Sequence, residues 1–369
     1  MTITTSSRLA AIPTYEPGLT TAEVLARYGL DSAVKLASNE SPFPPLEAVA
    51  DVICAGADAV NRYPQGAGTA LREALAELHG ADPAQIVLGN GSCELILLAG
   101  TALLDPGTTV VHPSPSFGLY PHLAEVAGAE SIAVPLDDAG RNDLEAMAAE
   151  VDERTRLVVI CSPNNPTGGY VAADAIEAFL DMVPDDVAVL IDEAYHDFVT
   201  LADRGRPMSL AKSRPNVLVT RTFSKAYGLC GLRVGYGVGS TDWVAAIDRV
   251  RQPFNTSSVA QAAALEAIRH QGPMSRRIAE TVAERERMGE SLRAMGVTFT
   301  ETQANFILMT AIDGRPFDGS AVHEQLLRRG IIVRNGASLG VPSGLRVTIG
   351  TRDENDAFLA ALAELIGTT

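Results

Sequence analysis

The sequence predicts an α/β fold with a mostly parallel central sheet, followed by a smaller α+β section. Between about residues 85 and 240, short runs rich in Val, Ile and Leu alternate with amphipathic segments of helical period. Continuous apolar runs of this kind indicate strands buried on both faces, as in parallel sheets covered by helices. Because the 369 residues exceed what one compact core usually holds, we expect two domains.

The first part of the chain contains seven expected strands, which are Ile86–Leu88, Thr109–His112, Ser131–Val134, Leu157–Ile160, Val187–Ile191, Val217–Thr220 and Val234–Val238. Amphipathic segments such as Glu94–Leu104 and Ala172–Met182 separate them and predict helices. We place a large domain with a mostly parallel sheet at residues 41–265.

Two long helical patterns, Ser258–Arg269 and Arg276–Met295, lead into the smaller section. Its expected strands are Phe306–Met309, Ile331–Arg334 and Leu345–Ile349. Thr351 and Glu354, three residues apart, predict a capping box at the start of the last helix. We assign residues 1–40 and 266–369 to an N-terminal arm, which wraps onto this section, and a small C-terminal domain.

Composition excludes several classes of protein. A net charge of −16 and a pI near 4.8 argue against nucleic-acid binding, because phosphate backbones repel such a surface. No apolar run approaches the roughly 20 residues of a membrane helix, and the N-terminus lacks the apolar region of a signal peptide. The four cysteines form no CxxC pair and no zinc-like spacing. We therefore expect a cytoplasmic protein with reduced thiols, no membrane or nucleic-acid partner and no metal.

Lysine is rare in this chain. Of the 29 basic residues only Lys35, Lys212 and Lys225 are lysines. A position that stays Lys among so many Arg can require an amine able to lose its proton, which a guanidinium cannot do. Lys225 follows a predicted strand, whereas chance retention is enough to explain Lys35 and Lys212.

Four predicted strand ends carry polar residues, and parallel sheets place their chemistry at the carboxyl ends of strands. The run 187–191 ends at Asp192, and the run 157–160 leads into a loop containing Asn165. The strand before Lys225 is followed by Ser224 and a glycine-rich turn ending at Arg233. The segment GNGSCELI (89–96) leads into a helix N-terminus, which favours phosphate. Each motif alone has an ordinary structural explanation.

Taken together, the four strand ends supply a buried carboxylate, an amide, an amine and a phosphate cradle. Pyridoxal 5′-phosphate (PLP) requires this set, as a partner for its ring nitrogen, a partner for its phenolic oxygen, a Schiff-base lysine and an anion site. A dinucleotide or ATP fits less well, because Glu94 occupies the third glycine position of GxGxxG and no GxxxxGK[ST] occurs. We therefore expect PLP as the cofactor.

The chain resembles the fold-type I PLP-dependent transferases, specifically the histidinol-phosphate aminotransferase family, which includes an aromatic amino-acid aminotransferase branch. The resemblance runs almost end to end. It rests on YEPG (15–18), KLASNESPF (35–43), NRYP (61–64), GNGSCELI (89–96), PSFGLY (115–120), SPNNPTG (162–168), DEAYHDF (192–198), RTFSKAYGLCGLRVGY (221–236), PFN (253–255), ANF (304–306), GIIVR (330–334) and LRVTIGT (345–351).

The resemblance implies a role for each matching residue. Lys225 is the Schiff-base lysine, Asp192 pairs with the ring nitrogen, and Asn165 and Tyr195 bond to the ring's 3′-oxygen. The remaining implied contacts are ring stacking by Phe117, phosphate binding by Ser92, Cys93, Ser224 and Arg233, and a contact from Tyr63 to the cofactor phosphate of a neighbouring subunit in a homodimer. The substrate pocket would contain Tyr15, Asn165, Arg334 and Arg346, with Arg346 binding a carboxylate.

The resemblance leaves the substrate open. It implies amino transfer between L-histidinol phosphate and 2-oxoglutarate, or between aromatic amino acids and an oxo acid; less favoured is a decarboxylase of a phosphorylated amino acid. Ser41 stands where the histidinol-phosphate enzymes usually have Asn, which weakens that interpretation. Cys93 stands where Asp is usual and Cys230 where Ala is usual. A DNA-binding regulator built on this fold would need a further domain, which the chain does not show.

Overall fold

A computed structural model describes residues 3, 18–316 and 318–367 of the chain. Its α-helices are α1 (Thr21–Tyr28), α2 (Glu47–Gly56), α3 (Thr69–His79), α4 (Ser92–Leu103), α5 (Leu119–Ala127), α6 (Leu144–Ala149), α7 (Ala173–Met182), α8 (Arg206–Ser213), α9 (Thr241–Val250), α10 (Ser258–Arg269), α11 (Gln271–Ala294), α12 (Gly319–Arg328) and α13 (Arg352–Gly367). None of the described helices is both long and apolar enough to cross a bilayer.

The strands form one large and two small sheets. They are β1 (Val34–Lys35), β2 (Ile86–Gly89), β3 (Thr109–Ser114), β4 (Glu130–Pro135), β5 (Thr155–Cys161), β6 (Ala188–Asp192), β7 (Val217–Thr222), β8 (Gly235–Gly239), β9 (Val297–Phe299), β10 (Phe306–Ile312), β11 (Arg315–Pro316), β12 (Ile331–Ile332), β13 (Arg334–Asn335) and β14 (Leu345–Thr348). All seven strands expected in the first part are present, with bounds that differ by at most two residues.

The large sheet has the strand order β2-β8-β7-β6-β5-β3-β4. Its neighbours pair in parallel except β8, which runs antiparallel to both β2 and β7. The expectation of a mostly parallel sheet is confirmed. Because β4, β3, β5, β6 and β7 all run the same way, their carboxyl ends lie along one edge, where ligands bind in such sheets.

Both faces of the large sheet are buried, as the continuous apolar runs predicted. Along β5 and β6, Val158, Ile160, Val189 and Ile191 belong to one hydrophobic cluster. The alternate residues Leu157, Val159 and Leu190 belong to a second cluster on the opposite face. Side chains that alternate between the two faces of a strand explain why almost every position in these runs is apolar.

The smaller section is built on an antiparallel sheet with the order β11-β10-β14-β13, to which β9 adds by pairing with β10. Residues 34–36 join it, because β1 pairs in parallel with β12 and the Leu36 carbonyl accepts from the Thr348 N–H at 2.9 Å. The described part of the arm therefore packs on this section as expected. The domain bounds at 41 and 265 stay a prediction, and residue 265 lies inside α10.

Two expected elements differ from the structure. The single strand expected at Ile331–Arg334 is wrong, because Val333 separates β12 from β13 and the two pair with different strands, β1 and β14. Helix α11 begins at Gln271 rather than Arg276, because Pro273 lies in its first turn, where no backbone N–H is needed for the helical ladder. The capping box at Thr351 and Glu354 is present, with bonds of 2.8 and 3.3 Å.

Candidate active site

Asp192 is the last residue of β6, in the middle of the large sheet, and is only 4% exposed. Its Oδ2 accepts a hydrogen bond of 2.8 Å from the Tyr120 hydroxyl, and its Oδ1 accepts one of 3.1 Å from the Ala194 N–H. Burial raises the pKa of Asp192 to about 6, against the lowering effect of these two donors. A carboxylate held here favours a cationic partner.

Lys225 lies in the loop after β7, the strand next to β6. Its Nζ donates to the Ser38 carbonyl at 3.1 Å and lies 5.7 Å from the centre of the Tyr195 ring. Loss of hydration, reinforced by the charge of Arg346, lowers the pKa of Lys225 to about 8. A small fraction of the amine is therefore neutral near neutral pH, far more than for an ordinary lysine, as a nucleophile or a base requires.

Tyr195 is buried three residues beyond Asp192. Its hydroxyl accepts a bond of 2.9 Å from the Asn39 side-chain amide, and its ring packs edge-on against Phe306. Asn39 is held in turn by Thr348, whose hydroxyl accepts from the Asn39 N–H at 2.9 Å. Burial raises the pKa of Tyr195, so the phenol stays protonated.

A compact cradle forms where β2 leads into α4. Gly91 has φ 80°, and a Cβ there would lie 2.5 Å from the guanidinium of Arg233. Gly235 is equally restricted, because its Cβ would lie 2.5 Å from the Ser92 backbone nitrogen. The free N–H groups of the α4 N-terminus suit a phosphate. Glycine at these two positions therefore permits the close approach of Arg233 and of the α4 N-terminus.

Three strand ends meet at this cradle because β8 lies between β2 and β7. Gly235, the first residue of β8, pairs with Gly89 of β2 and with Thr222 of β7. The loop before β8 thereby brings Arg233 to Ser224, with Nη1 3.3 Å from the Ser224 Oγ. Cys93 is half-buried in the first turn of α4, and burial followed by the Asp192 charge raises the pKa of its thiol.

Arg346 reaches the large sheet from β14 of the smaller section. Its guanidinium donates to the Asn165 side-chain oxygen and, at 2.9 Å, to the Ala37 carbonyl, and it stacks over the ring of Phe306. The residues on either side of it, Leu345 and Val347, face the hydrophobic core of the smaller section. The strand alternation read from the sequence therefore turns Arg346 toward the site.

Phe117 is half-buried, with its ring centre 5.8 Å from that of Tyr120. Arg334 lies directly opposite Arg346 in the β13–β14 pair, which places both side chains on one face of the small sheet. Tyr63 is separate from this group, since it is 82% exposed and stacks on Phe254. Tyr15 lies outside the described residues.

Sequence reasoning missed two polar contacts of the site, those of Tyr120 with Asp192 and of Asn39 with Tyr195. Tyr120 lies in the segment PSFGLY and Asn39 in the segment KLASNESPF, both of which were identified from the sequence. The sequence of such a segment does not show which distant residue its side chains contact. Sequence reasoning also missed the buried ion pair between Glu193 and Arg221, which lies on the side of the strand end opposite to Asp192. Within the described residues, no group of three or more His, Cys, Asp or Glu is arranged to hold a metal.

These side chains fit the chemistry of PLP. The lack of side chains at Gly91 and Gly235 lets Arg233 and the start of α4 approach closely, so that a guanidinium and free backbone N–H groups lie together where a phosphate could bind. Asp192 offers a buried carboxylate for a cationic ring nitrogen, and Lys225 offers an amine of lowered pKa at the neighbouring strand end. Tyr195, which is bonded to Asn39, and Asn165, which is bonded to Arg346, provide further hydrogen-bonding groups.

Known proteins resemble this chain over nearly its whole length. Histidinol-phosphate aminotransferases of Geobacillus thermodenitrificans and Bacillus pumilus are each 42% identical over 359 residues, covering 97% of this chain and 97% of their own. The crystal structure of histidinol-phosphate aminotransferase from Sinorhizobium meliloti in complex with pyridoxal-5′-phosphate superposes with a TM-score of 0.90 at 27% identity, covering 99% and 98% of the two chains.

Related folds with other names also match. A single mutant of Thermus thermophilus aspartate aminotransferase has a TM-score of 0.83 at 26% identity, over 99% of this chain and 100% of its own. A family model described as aminotransferase class I and II matches residues 31–362. The chain therefore belongs to the aminotransferase class I and II family, and the expected fold-type I architecture and PLP-dependent aminotransferase activity are confirmed.

Proposed function

We propose that this protein transfers an amino group between L-histidinol phosphate and 2-oxoglutarate, with PLP as its cofactor. The reaction class is supported by one geometric observation, the meeting of Asp192, Lys225 and a phosphate cradle at adjacent strand ends. The substrate is supported by relatives of that name at 42% identity over 97% of this chain.

In this proposal each polar group of the site has one task. Asp192 pairs with the cationic ring nitrogen, and Asn165 and Tyr195 bond to the phenolic oxygen. Phe117 packs against the ring. Ser92, Cys93, Ser224 and Arg233 hold the phosphate, partly through the backbone N–H groups of α4, which explains why the thiol of Cys93 suffices where Asp is usual.

The bound cofactor supplies an electron-accepting ring that makes the Cα proton of the attached substrate acidic. Lys225 then acts as the base, and its Nζ takes the proton from Cα. The lowered pKa of Lys225 suits this task, because a base works best when its pKa lies close to the working pH. Positioned proton transfer of this kind contributes about 10²–10⁴-fold to a rate.

Two arginines support recognition of a doubly anionic partner. Arg334 and Arg346 occupy directly opposed positions of β13 and β14, so their side chains share one face. Guanidinium groups bind carboxylates and phosphates in two-pronged geometry. Arg346 thus receives the substrate carboxylate of glutamate, and Arg334 with Tyr15 and Arg346 receives the phosphate of the amine.

A homodimer in the cytoplasm completes the proposal, with Tyr63 reaching the cofactor phosphate of the partner subunit. Its support is the exposure of Tyr63 and of Phe254, two aromatic rings stacked at 4.7 Å on the surface, together with exposed Val60. Exposed apolar groups gathered in this way are typical of contact surfaces. Sedimentation of the purified protein tests the dimer, and Tyr63→Ala should weaken cofactor binding without changing the fold.

The substrate is tested by adding candidate amines one at a time and following the visible absorbance of the bound cofactor. Rapid conversion by histidinol phosphate and glutamate, with little change from phenylalanine, is the expected result. Faster conversion by phenylalanine or tyrosine would instead make this an aromatic amino-acid aminotransferase. Release of carbon dioxide would show a decarboxylase.

A second experiment separates the two transaminase substrates by the anion that each carries. Arg334→Ala should reduce kcat/KM for histidinol phosphate about 100-fold, the upper range expected when a hydrogen-bonded contact to a charged group is lost, and should reduce it far less for phenylalanine. Equal losses for both amines would contradict a phosphate-binding role of Arg334.

A further inference from the structure

Tyr120 contacts Asp192 from a different layer of the fold. It lies in the first turn of α5 and is fully buried. Its hydroxyl donates to Asp192 Oδ2 at 2.8 Å, while the Ala194 N–H donates to Oδ1 at 3.1 Å. Each carboxylate oxygen is therefore held by a separate donor, one from the helix layer and one from the backbone after β6.

The position of Tyr120 needs an aromatic ring for packing but does not need a hydroxyl for that purpose. The rings of Phe117 and His112 have their centres 5.8 and 6.3 Å away, and Leu123 belongs to the same apolar cluster. A phenylalanine would make these contacts equally well. A hydroxyl in such surroundings is costly unless it has a partner; the Tyr120 hydroxyl donates to Asp192, and the Cys161 thiol is a second neighbour of the same hydroxyl.

We propose that Tyr120 is a positioning residue for Asp192, whose hydroxyl fixes the orientation of the carboxylate and keeps it ionised for pairing with a cationic ring nitrogen. The consequence for catalysis rests on the proposed function, whereas the contact itself does not. Burial and the Asp192 charge raise the pKa of Tyr120 far above its ordinary value, so the phenol remains a donor at every working pH.

The other titratable groups near Asp192 do not replace this donor. They are Cys93 on α4, Cys161 on β5, Glu193 on the same strand end, Tyr195 beyond it and Lys225 after β7. Burial raises the pKa of both thiols, to about 12 for Cys161, so they carry no charge. The charge of Glu193 is met by Arg221. Tyr120, the Ala194 N–H and the charge of Lys225 are thus what stabilise ionised Asp192.

The contact is tested first on the full-length protein after removal of the cofactor, with Tyr120→Phe, Asp192→Asn and the double variant. Since burial raises the pKa of Asp192, its ionisation destabilises the folded state as pH rises from about 4 to about 6. Loss of the Tyr120 hydroxyl raises the pKa of Asp192 further, so the pH range over which the folded state loses stability extends above pH 6. The difference in Tm between wild type and Tyr120→Phe should therefore grow from pH 5 to pH 8, and should not depend on pH in the Asp192→Asn background.

The catalytic consequence is tested on the holoenzyme. Tyr120→Phe should lower kcat roughly tenfold, the size expected for one hydrogen bond to a charged group, with KM for the amine changed by less than about twofold. Tyr170→Phe is the matched control, because its hydroxyl also donates to a carboxylate, that of Asp203 at 3.1 Å, away from the site. It should leave kcat unchanged.

Two results would overturn the proposal. One is a Tm loss in Tyr120→Phe that is the same at every pH and in both backgrounds, since that is the behaviour of a packing residue. The other is a kcat equal to that of wild type. A wild-type protein without amino-transfer activity would refute the proposed function instead, and the cofactor-free comparison would then still decide whether Tyr120 holds Asp192.

Discussion

The two sides of the strand end at 192–193 carry neighbouring buried carboxylates in opposite environments. Asp192, 4% exposed, faces the candidate active site and is bonded by the Tyr120 hydroxyl and a backbone N–H. Glu193, 3% exposed, faces the other side of the strand and accepts from Arg221 at 2.8 Å, with His196 3.6 Å away. Alternation along the strand sends the two side chains in different directions.

The pKa values of the two carboxyls diverge for this reason. Burial raises the pKa of Asp192 to about 6. Burial would also raise the pKa of Glu193, but the charge of Arg221, aided by His196, outweighs it and the pKa falls to about 2. Among the described residues, no Arg or Lys forms an ion pair with Asp192. Glu193 therefore serves the fold, whereas Asp192 is suited to a cation that a ligand brings.

The largest expected effect comes from removing the amine beside Asp192. Lys225→Ala should lower kcat by at least about 10³-fold, because in the proposed function it removes both the Schiff-base amine and the base that moves the Cα proton. Circular dichroism should show an unchanged fold. A kcat close to wild type would contradict the assignment of the site.

Breaking the Glu193–Arg221 pair should act on stability instead of chemistry. Glu193→Gln leaves Arg221 buried without its counter-charge, which typically costs about 3–5 kcal/mol of the free energy of unfolding. Chemical denaturation measures this loss, and the Arg221→Gln/Glu193→Gln double variant is the control, expected to lose less than the sum of the two single variants. A large fall in kcat with unchanged stability would reverse the roles given to the two carboxylates.

Neutralising Asp192 should stabilise the cofactor-free protein, whereas neutralising Glu193 should destabilise it. The folded pKa of about 6 exceeds the ordinary value of 3.8, so the folded state loses stability as pH rises between them, about 3 kcal/mol in all. Asp192→Asn should therefore be more stable than wild type above pH 6 and equal to it near pH 4. Glu193, with its lowered pKa, stabilises the fold above about pH 4.5 and loses that contribution as pH falls toward 2. Denaturation at several pH values distinguishes the two carboxyls.

The smallest effect is expected at Cys93, whose neutral thiol lies in the candidate active site with Asp192. Cys93→Ala should change the dissociation constant of PLP by less than about threefold, because in the proposed site the backbone N–H groups of α4 and the charge of Arg233 remain to bind the phosphate. Fluorescence titration of the cofactor-free protein measures this. A loss as large as that of Arg233→Ala would show that the side chain at position 93 binds the phosphate directly.

Local pattern was sufficient to predict the strands and the polar residues at their carboxyl ends. Seven apolar runs predicted seven strands of the large sheet, because a strand buried on both faces must be apolar at nearly every position. The parallel direction of the central strands then placed Asp192 and the Lys225 loop along one edge. The prediction failed at Ile331–Arg334, because this short stretch contributes strands to two different sheets. The local sequence contains no signal for that division.

The sequence by itself thus determined the fold class, the family and the residues at the strand ends, because burial patterns, strand ends and motifs are local features that depend on short stretches of chain. Only the tertiary structure decided which side chains meet. Tyr120 bonds to a residue 72 positions away, Asn39 to one 156 away and Arg346 to one 181 away. The opposite roles of Asp192 and Glu193 depend on such partners, because the charge state of a buried carboxylate is set by the groups packed against it and not by its neighbours in sequence.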